Sequence, residues 1–539
     1  MEEDDGDQPI RLAYVCGNKF LITNAYPVPV SVTWRVSDSD EEGTALLSAA
    51  PAEDPAFSEH LFETRDGGPV ELSHEGRTVR ARKNEGIPCT PATPAPALLT
   101  TGSASAGEWT VPFPWPVVGL HLHLLPSGRV LSWGHSGVPH LWNPATGVFT
   151  AVPSPVLLFC AGHSLLTDGR LFAAGGHIED NHGLPDISLF NPTGGTWSTS
   201  PPMRRGRWYP TATTMSKGEV VITAGRDQAG LQVPLPEVWT SGSLRVLTGA
   251  SRNLPYYPRT FLAPNGKLFY AGESQTTRYL DITGTGSWST VGSRRYGTRS
   301  YGSAVMYDEG RILYAGGGRT TNTAETIDLR KAAPAWQWTG SMAFARRHLN
   351  VTVLPTGEVL ATGGTGGTAF NDLTTSVHAA ESWNPATGVW TTLASNLINR
   401  GYHSTSLLVP DGRVLHTGSG DGAGAPSERN AELFSPPYLF QGPRPVIQSA
   451  PTLVRYGTTF RVGTLDAASI TKVSLIRLGS VTHAFDMNQR FQKLGFTADA
   501  GGLAVTAPTN RKRTPPGHYM LFILNGAGVP SVAPIVQVK

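Results

Sequence analysis

Arg400-Gly401-Tyr402-His403-Ser404-Thr405-Ser406-Leu407-Leu408-Val409-Pro410-Asp411-Gly412 is one copy of a unit that the chain repeats. An apolar strand, Thr405 to Val409, runs into a tight turn ending on glycine, and a second apolar strand follows. The same strand, turn and strand recur with their turn glycines at Gly128, Gly169, Gly218, Gly266, Gly310, Gly357 and Gly412. Successive glycines are 41 to 55 residues apart, the length of a four-stranded propeller blade. Second strands close on Ala174-Gly175-Gly176, Ala315-Gly316-Gly317 and Thr362-Gly363-Gly364, and fourth strands carry Trp197, Trp288, Trp338 and Trp390. Seven turns predict seven blades.

The seventh unit has no fourth strand of its own, because Ala431-Glu432-Leu433-Phe434 leads directly into Pro436-Pro437. Gly107-Glu108-Trp109-Thr110-Val111, ahead of the first unit, has the composition of one. Pairing the two would close the ring and leave no open sheet edge. The fold expected is therefore all-β, a seven-bladed kelch-type β-propeller over residues 106–440 flanked by two smaller β domains. Residues 1–105 read as an N-terminal β domain, with strands at Lys19 to Thr23, Val28 to Val36 and Arg77 to Arg82 and a linker from Pro91 to Ala104. This domain is expected to be an accessory binding module that contacts a glycan or the cell surface, the alternative being a purely structural cap. Residues 441–539 alternate again, as in Val473-Ser474-Leu475-Ile476-Arg477, and predict an immunoglobulin-like sandwich.

Composition agrees with short strands and tight turns: 61 glycines and 43 prolines, with 16% charged residues. A net charge of +2, with basic residues scattered apart from Arg511-Lys512-Arg513, offers no surface for nucleic acid. No apolar run reaches the roughly 18 residues of a membrane span. Met1-Glu2-Glu3-Asp4-Asp5 lacks the basic and apolar stretches of a signal peptide. Three cysteines are an odd number: if Cys16 pairs with Cys89, Cys160 is left over.

Counting back nine positions from each turn glycine gives Gly119, Cys160, Tyr209, Tyr257, Tyr301, His348 and His403. If the first strands are innermost, these residues ring one mouth of the central channel, where small-molecule pockets form. Each has an ordinary alternative. A lone cysteine on an apolar strand is usually a small filler, and Tyr209, His348 or His403 taken singly is a packed hub residue. His121 and His123 share a strand face with no third partner in the sequence and read as structural; His177 and His182 read as solvated loop residues. The coincidence in register favours a site.

On these residues the sequence resembles the galactose oxidase and glyoxal oxidase family, the copper radical oxidases. Phe159-Cys160-Ala161-Gly162-His163 is similar to the family's cysteine segment, Arg207-Trp208-Tyr209-Pro210 to the glyoxal oxidase form of the cross-linked tyrosine segment, and Arg400-Gly401-Tyr402-His403-Ser404 to its Tyr-His pair. Val481-Thr482-His483-Ala484-Phe485 resembles the loop of the remaining histidine, and Pro516 to Phe522 the closing strand. The resemblance implies copper held by Tyr209, Tyr402, His403 and His483, a thioether between Cys160 and Tyr209 that stores a radical, and Tyr402 as general base. It implies oxidation of a primary alcohol or small hydrated aldehyde, with dioxygen reduced to hydrogen peroxide.

A Cys16–Cys89 disulfide and a peroxide-forming enzyme both fit a secreted or cell-surface protein, and a monomer is expected. The family's stacking tryptophan has no counterpart at Gly225-Arg226-Asp227, so Trp208 or a nearby loop aromatic is expected to shield the radical. The sugar-binding positions do not carry over clearly, although Arg294, Arg295 and Arg299 lie in a comparable blade. Tyr257, Tyr301 and His348 are the pocket-wall candidates from register. The competing reading is a non-enzymatic kelch propeller that binds glycan or protein.

Overall fold

The computed structural model describes residues 103–539 except 368, 423 and 424, and, before them, residues 10–16, 19–24, 29–37, 39–47, 58–65, 68–75 and 77–81. Among these, regular helix is confined to three short 3-10 turns, Leu373–Thr375, Pro437–Phe440 and Ala467–Ser469. The chain divides into two compact units, residues 1–95 and 96–539.

The first unit holds a three-stranded sheet of Ile10–Cys16, Lys19–Asn24 and Ser58–Glu63, and a four-stranded sheet of Glu42–Leu47, Val30–Val36, Val70–His74 and Arg77–Ala81. Val30, Val32 and Val36 alternate inward on their strand and pack with Phe20, Ile22, Leu47 and Leu72. The Cys16 side chain and all of Cys89 lie outside the described residues, so the disulfide expectation is not addressed.

The second unit begins with seven successive antiparallel sheets, each opened by one strand and its glycine turn. First strands such as His121–Leu124, Gly162–Leu165, Thr211–Thr214 and Ser404–Leu408 are buried at every residue, whereas the fourth strand Thr196–Ser200 has no buried residue. This gradient explains why first strands are apolar or small while fourth strands alternate. First strands lie beside one another from the second sheet to the fourth and from the fifth to the seventh, and that of the first sheet lies beside that of the seventh. Glu108–Trp109 pairs with Asn430–Ser435 as the fourth strand of the seventh sheet.

Two polar devices repeat around the sheets. Each of Arg207, Arg299, Arg346 and Arg400 donates from Nη1 to a carbonyl at the end of its second strand, Ala224, Gly316, Gly363 and Gly418 in turn. Each also pairs with a third-strand glutamate, Glu237, Glu325, Glu381 and Glu432, at 2.5 to 3.0 Å and out of contact with solvent. The same glutamates accept backbone N–H groups of Arg204, Arg295, Ala343 and Leu397, where the chain enters each sheet. Both oxygens of each glutamate thereby accept a bond, the kind of additional hydrogen bonding a buried ion pair needs. Secondly, the indoles of Trp197, Trp288, Trp390 and Trp109 donate to Val152, Ala250, Gly340 and Ala394, carbonyls at the outer edge of the preceding sheet. Trp109 does for the seventh sheet what the others do for theirs.

Residues beyond 441 add a five-stranded and a three-stranded sheet around Val473, Leu475, Leu503, Val505, Leu521 and Ile523. From them a hairpin, Ser480–Thr482 and Phe485–Asp486, leaves to join the first sheet, where His121 faces Thr482 and His123 faces Ser480.

Candidate metal centre

Six of the seven register residues hold a left-handed backbone: Cys160 (φ 63°), Tyr209 (65°), Tyr257 (43°), Tyr301 (55°), His348 (60°) and His403 (70°). For residues with a Cβ this conformation costs about 1–2 kcal/mol each. It turns backbone N–H groups sideways: Tyr209 N donates to Cys160 O at 3.0 Å, Tyr257 N to Tyr209 O at 3.0 Å and His348 N to Tyr301 O at 2.9 Å. These bonds stitch the strand starts together, so strained backbone gathers where six chemically active side chains meet.

His483 reaches the same place from the hairpin. With Ala484 it forms a two-residue turn in which both residues have positive φ, 46° and 63°, a turn that usually takes Asn-Gly. The turn is held from outside. Ser303 Oγ donates to Ala484 O at 2.6 Å, an Arg259 guanidinium nitrogen lies 3.3 Å from His483 O, and Asp486 accepts the N–H groups of Ser480, Asn488 and Gln489.

The five residues expected from sequence are adjacent. Tyr209 Oη lies 2.7 Å from Tyr402 Oη and 3.0 Å from His483 Nε2. His403 stacks on Tyr402, ring centroids 3.8 Å apart, and meets His483 edge-on at 4.7 Å. The fully buried Cys160 thiol contacts Tyr209 and Trp208. His403 has its tautomer fixed from behind: Nδ1–H donates to Gly420 O at 2.5 Å, which leaves the lone pair on Nε2. His483 Nδ1 bonds Thr482 Oγ1 at 2.7 Å, which holds the ring with Nε2 toward Tyr209 Oη.

His403 Nε2 is buried and has no partner. An unpaired buried nitrogen is unfavourable unless something binds it, and this imidazole packs between the Tyr402 phenol and the His483 imidazole. Among the described residues no group of three or more His, Cys, Asp or Glu is arranged for a metal ion, so a metal at this point depends on the phenols. Two imidazole nitrogens and two phenol oxygens suit divalent copper. Burial first, then the neighbouring Cys160 and Tyr402, pushes the Tyr209 phenol well above its ordinary range; burial, then Tyr301, does the same for Tyr402. Without a metal both phenols keep their protons at neutral pH, and a bound cation would take a proton's place.

Aromatic rings enclose the centre. Trp208 lies flat on Tyr209, centroids 3.9 Å apart and planes 4° from parallel. Tyr256 meets the Tyr209 ring edge-on at 5.2 Å, and Tyr257 is offset-stacked at 4.7 Å. On the Tyr402 side stand Tyr301, His348 and Phe370. Phe370 comes from a loop pinned by His348 Nε2 on Phe370 O (2.6 Å) and by Tyr402 N donating to Asn371 Oδ1 (2.9 Å), and it is 41% exposed. No repeat or motif marks Phe370, whereas Tyr256 could have been found as the neighbour of a register position.

Other sequence readings need adjustment. Arg294 and Arg299 are buried and committed, Arg294 to the carbonyls of Ala271, Glu273 and Ser274 and Arg299 to Glu325. His177 is not a freely solvated loop residue: its Nδ1 accepts the Trp208 indole N–H at 3.2 Å. His121 and His123 do have a third partner, which the sequence hides because it lies in the next sheet. His121 Nδ1 is 3.0 Å from His163 Nε2, and His163 Nδ1 and His123 Nδ1 both bond Ser480 Oγ, at 2.7 and 2.9 Å. The cluster grips the base of the hairpin.

Comparison with known proteins finds relatives of the chain. Residues 444–538 match the family model "Galactose oxidase-like, Early set domain", and residues 163–204 match the Kelch motif. A galactose oxidase of Gibberella zeae is 29% identical over 561 residues, covering 93% of this chain and 80% of that protein. The "Aldehyde oxidase GLOX" of Vitis pseudoreticulata is 31% identical over 433 residues, covering 70% of this chain and 81% of that protein. A solved structure described as a novel fungal alcohol oxidase of the AA5 family, in complex with copper, superposes with a TM-score of 0.75 at 28% identity, over 81% of this chain and all of that one.

Proposed function

Because the chain belongs to the galactose oxidase and glyoxal oxidase family of copper radical oxidases, we propose that Tyr209, Tyr402, His403 and His483 hold its copper and that Cys160 is joined to Tyr209 by a thioether. The chain is a copper oxidase with dioxygen as acceptor. The observation that carries the residue assignment is the meeting of Tyr209 Oη with Tyr402 Oη at 2.7 Å and with His483 Nε2 at 3.0 Å, beside the His403 ring, whose buried Nε2 has no partner. The seven sheets are read as the blades of a kelch-type propeller over residues 106–440, and residues 441–539 as the sandwich that supplies His483.

Copper, when bound, supplies a Lewis-acidic position for the substrate oxygen and takes up one of two electrons. Tyr402 receives the hydroxyl proton of the substrate. Its burial makes the phenolate a strong proton acceptor once the site has formed. Tyr209, made easier to oxidise by sulfur on its ring, takes a hydrogen atom from the substrate carbon. The thioether forms as the Cys160 S–H and one ring C–H of Tyr209 lose two hydrogens to dioxygen. Gly420 O and Thr482 Oγ1 keep His403 and His483 in place throughout. Overall, two hydrogens pass from substrate to dioxygen and hydrogen peroxide leaves.

The substrate is a primary alcohol or a small hydrated aldehyde with an apolar body. Tyr301, His348 and Phe370 support this, as does the commitment of Arg294 and Arg299 to structural partners, which leaves neither free for sugar hydroxyls. Contact with a glycan or cell surface belongs to the first unit, and secretion fits the peroxide produced.

The test loads the protein with Cu(II) in air and measures the intact mass and the peptides bearing Cys160 and Tyr209. Loss of two hydrogens and a linked peptide are expected, with peroxide formed from small aldehydes and alcohols in preference to galactose. An unmodified pair after copper and oxygen would rule out the radical cofactor.

A further inference from the structure

The Trp208 indole is doubly engaged: its face covers Tyr209 at 3.9 Å and its Nε1–H points at His177 Nδ1, 3.2 Å away. His177 opens the short strand His177–Glu179 and is only partly buried. Its ring meets Phe159 and the exposed His135, both at 5.0 Å between centroids. Two side chains thus connect a nearly enclosed phenol ring with the protein surface. Oxidation of an alcohol at Tyr209 gives His177 nothing to do.

We propose that Trp208 and His177 form a proton-coupled relay through which an external one-electron oxidant of the ferricyanide class brings the Tyr209 side chain to its radical state. The proposal rests on the oxidase reading above. An indole that has lost an electron becomes a strong acid, and its N–H must pass the proton to a base within hydrogen-bond reach. His177 Nδ1 is that base. Partial burial and the neighbouring His135 lower its basicity, opposed by Asp180 and Glu179, so the ring is neutral and able to accept at neutral pH.

The steps balance. One electron leaves Trp208 for the oxidant as the indole proton shifts to His177 Nδ1. One electron from the Tyr209 phenolate then refills the indole, and the proton returns to Nε1. The net change is phenolate to phenoxyl and ferricyanide to ferrocyanide, with no proton gained or lost.

The experiment uses the full-length, copper-loaded protein without substrate or dioxygen, mixed rapidly with ferricyanide. Radical formation is followed by absorbance, and electron paramagnetic resonance counts the coupled state. His177→Asn keeps an acceptor for the indole but cannot take its proton, and His177→Phe keeps neither. Both should form the radical about a hundredfold more slowly while copper content and the Cys160–Tyr209 mass stay as in the wild type. Deuterium oxide should slow the wild type and leave His177→Asn almost unaffected, and added imidazole should restore His177→Ala. Wild-type rates in the Asn and Phe variants, with no solvent isotope effect, would overturn the relay. A wild type that forms no radical at all would overturn the oxidase reading and the relay with it, so the two failures are told apart.

Discussion

At the scale of single residues, Tyr402 and His403 divide the work of one strand start. Tyr402 keeps its hydroxyl against Tyr209, while His403 offers a lone pair and nothing else. Tyr402→Phe should therefore retain copper and still form the thioether while turnover falls about 10²–10⁴-fold; copper content, intact mass and kcat measured on one preparation check this. Much residual turnover would move the base role to another group. These residues were legible because a count of nine from a turn glycine is also a count of strand length. Every non-glycine residue so found, from Cys160 to His403, holds the left-handed backbone at the strand entrance. What the count does not carry is side-chain direction. That Trp208 lies flat on Tyr209, and that its N–H points to His177, depends on side-chain packing, of Tyr256 from the next sheet on Trp208 and of Phe159 on His177.

Elements show which contacts matter. The hairpin carrying His483 is clamped through Ser480, which bonds His123 and His163 together. Ser480→Ala would strand two buried imidazoles and should cost about 1–3 kcal/mol, with weaker copper retention in competition with a chelator. A variant as stable and as copper-retentive as the wild type would show that the clamp is idle. The repeated Arg–Glu device gives a sharper contrast. Glu381→Leu leaves Arg346 charged and unpaired in a dry interior and should cost about 3–5 kcal/mol in denaturant unfolding. Asp499→Ala, at the solvent-exposed pair with Arg461, should not move the midpoint. Sheet order and strand starts could be read from glycine spacing, but these long-range pairs could not. Nothing local to Arg346 names Glu381, and nothing local to His123 names Ser480, 357 residues away.

For the molecule as a whole, buried histidines make stability depend on pH. His123, His163 and His416 stay neutral in the fold, burial holding all three far below 6.5 and His163 at about 3. An unfolded chain protonates them below about pH 6.5, so the stability they contribute is whole above that value and is lost as pH falls toward the folded values. Each adds a slope of about 1.4 kcal/mol per pH unit. Denaturant midpoints of the metal-free protein should fall between pH 7 and pH 5.5, and the buried carboxyls of Asp486 and Glu273, raised by burial, work in the opposite sense. Residues 106–440 expressed alone should fail to bind copper fully, because the His483 hairpin is a structural part of the first sheet. The hairpin also sets a schedule. Tyr209 and His483 are 274 residues apart, and a ribosome releases the first long before the second. On the proposed donor set, a chain that has not yet reached His483 cannot assemble the radical site, and the chemistry that could damage a nascent chain waits until both ends of that set have been made.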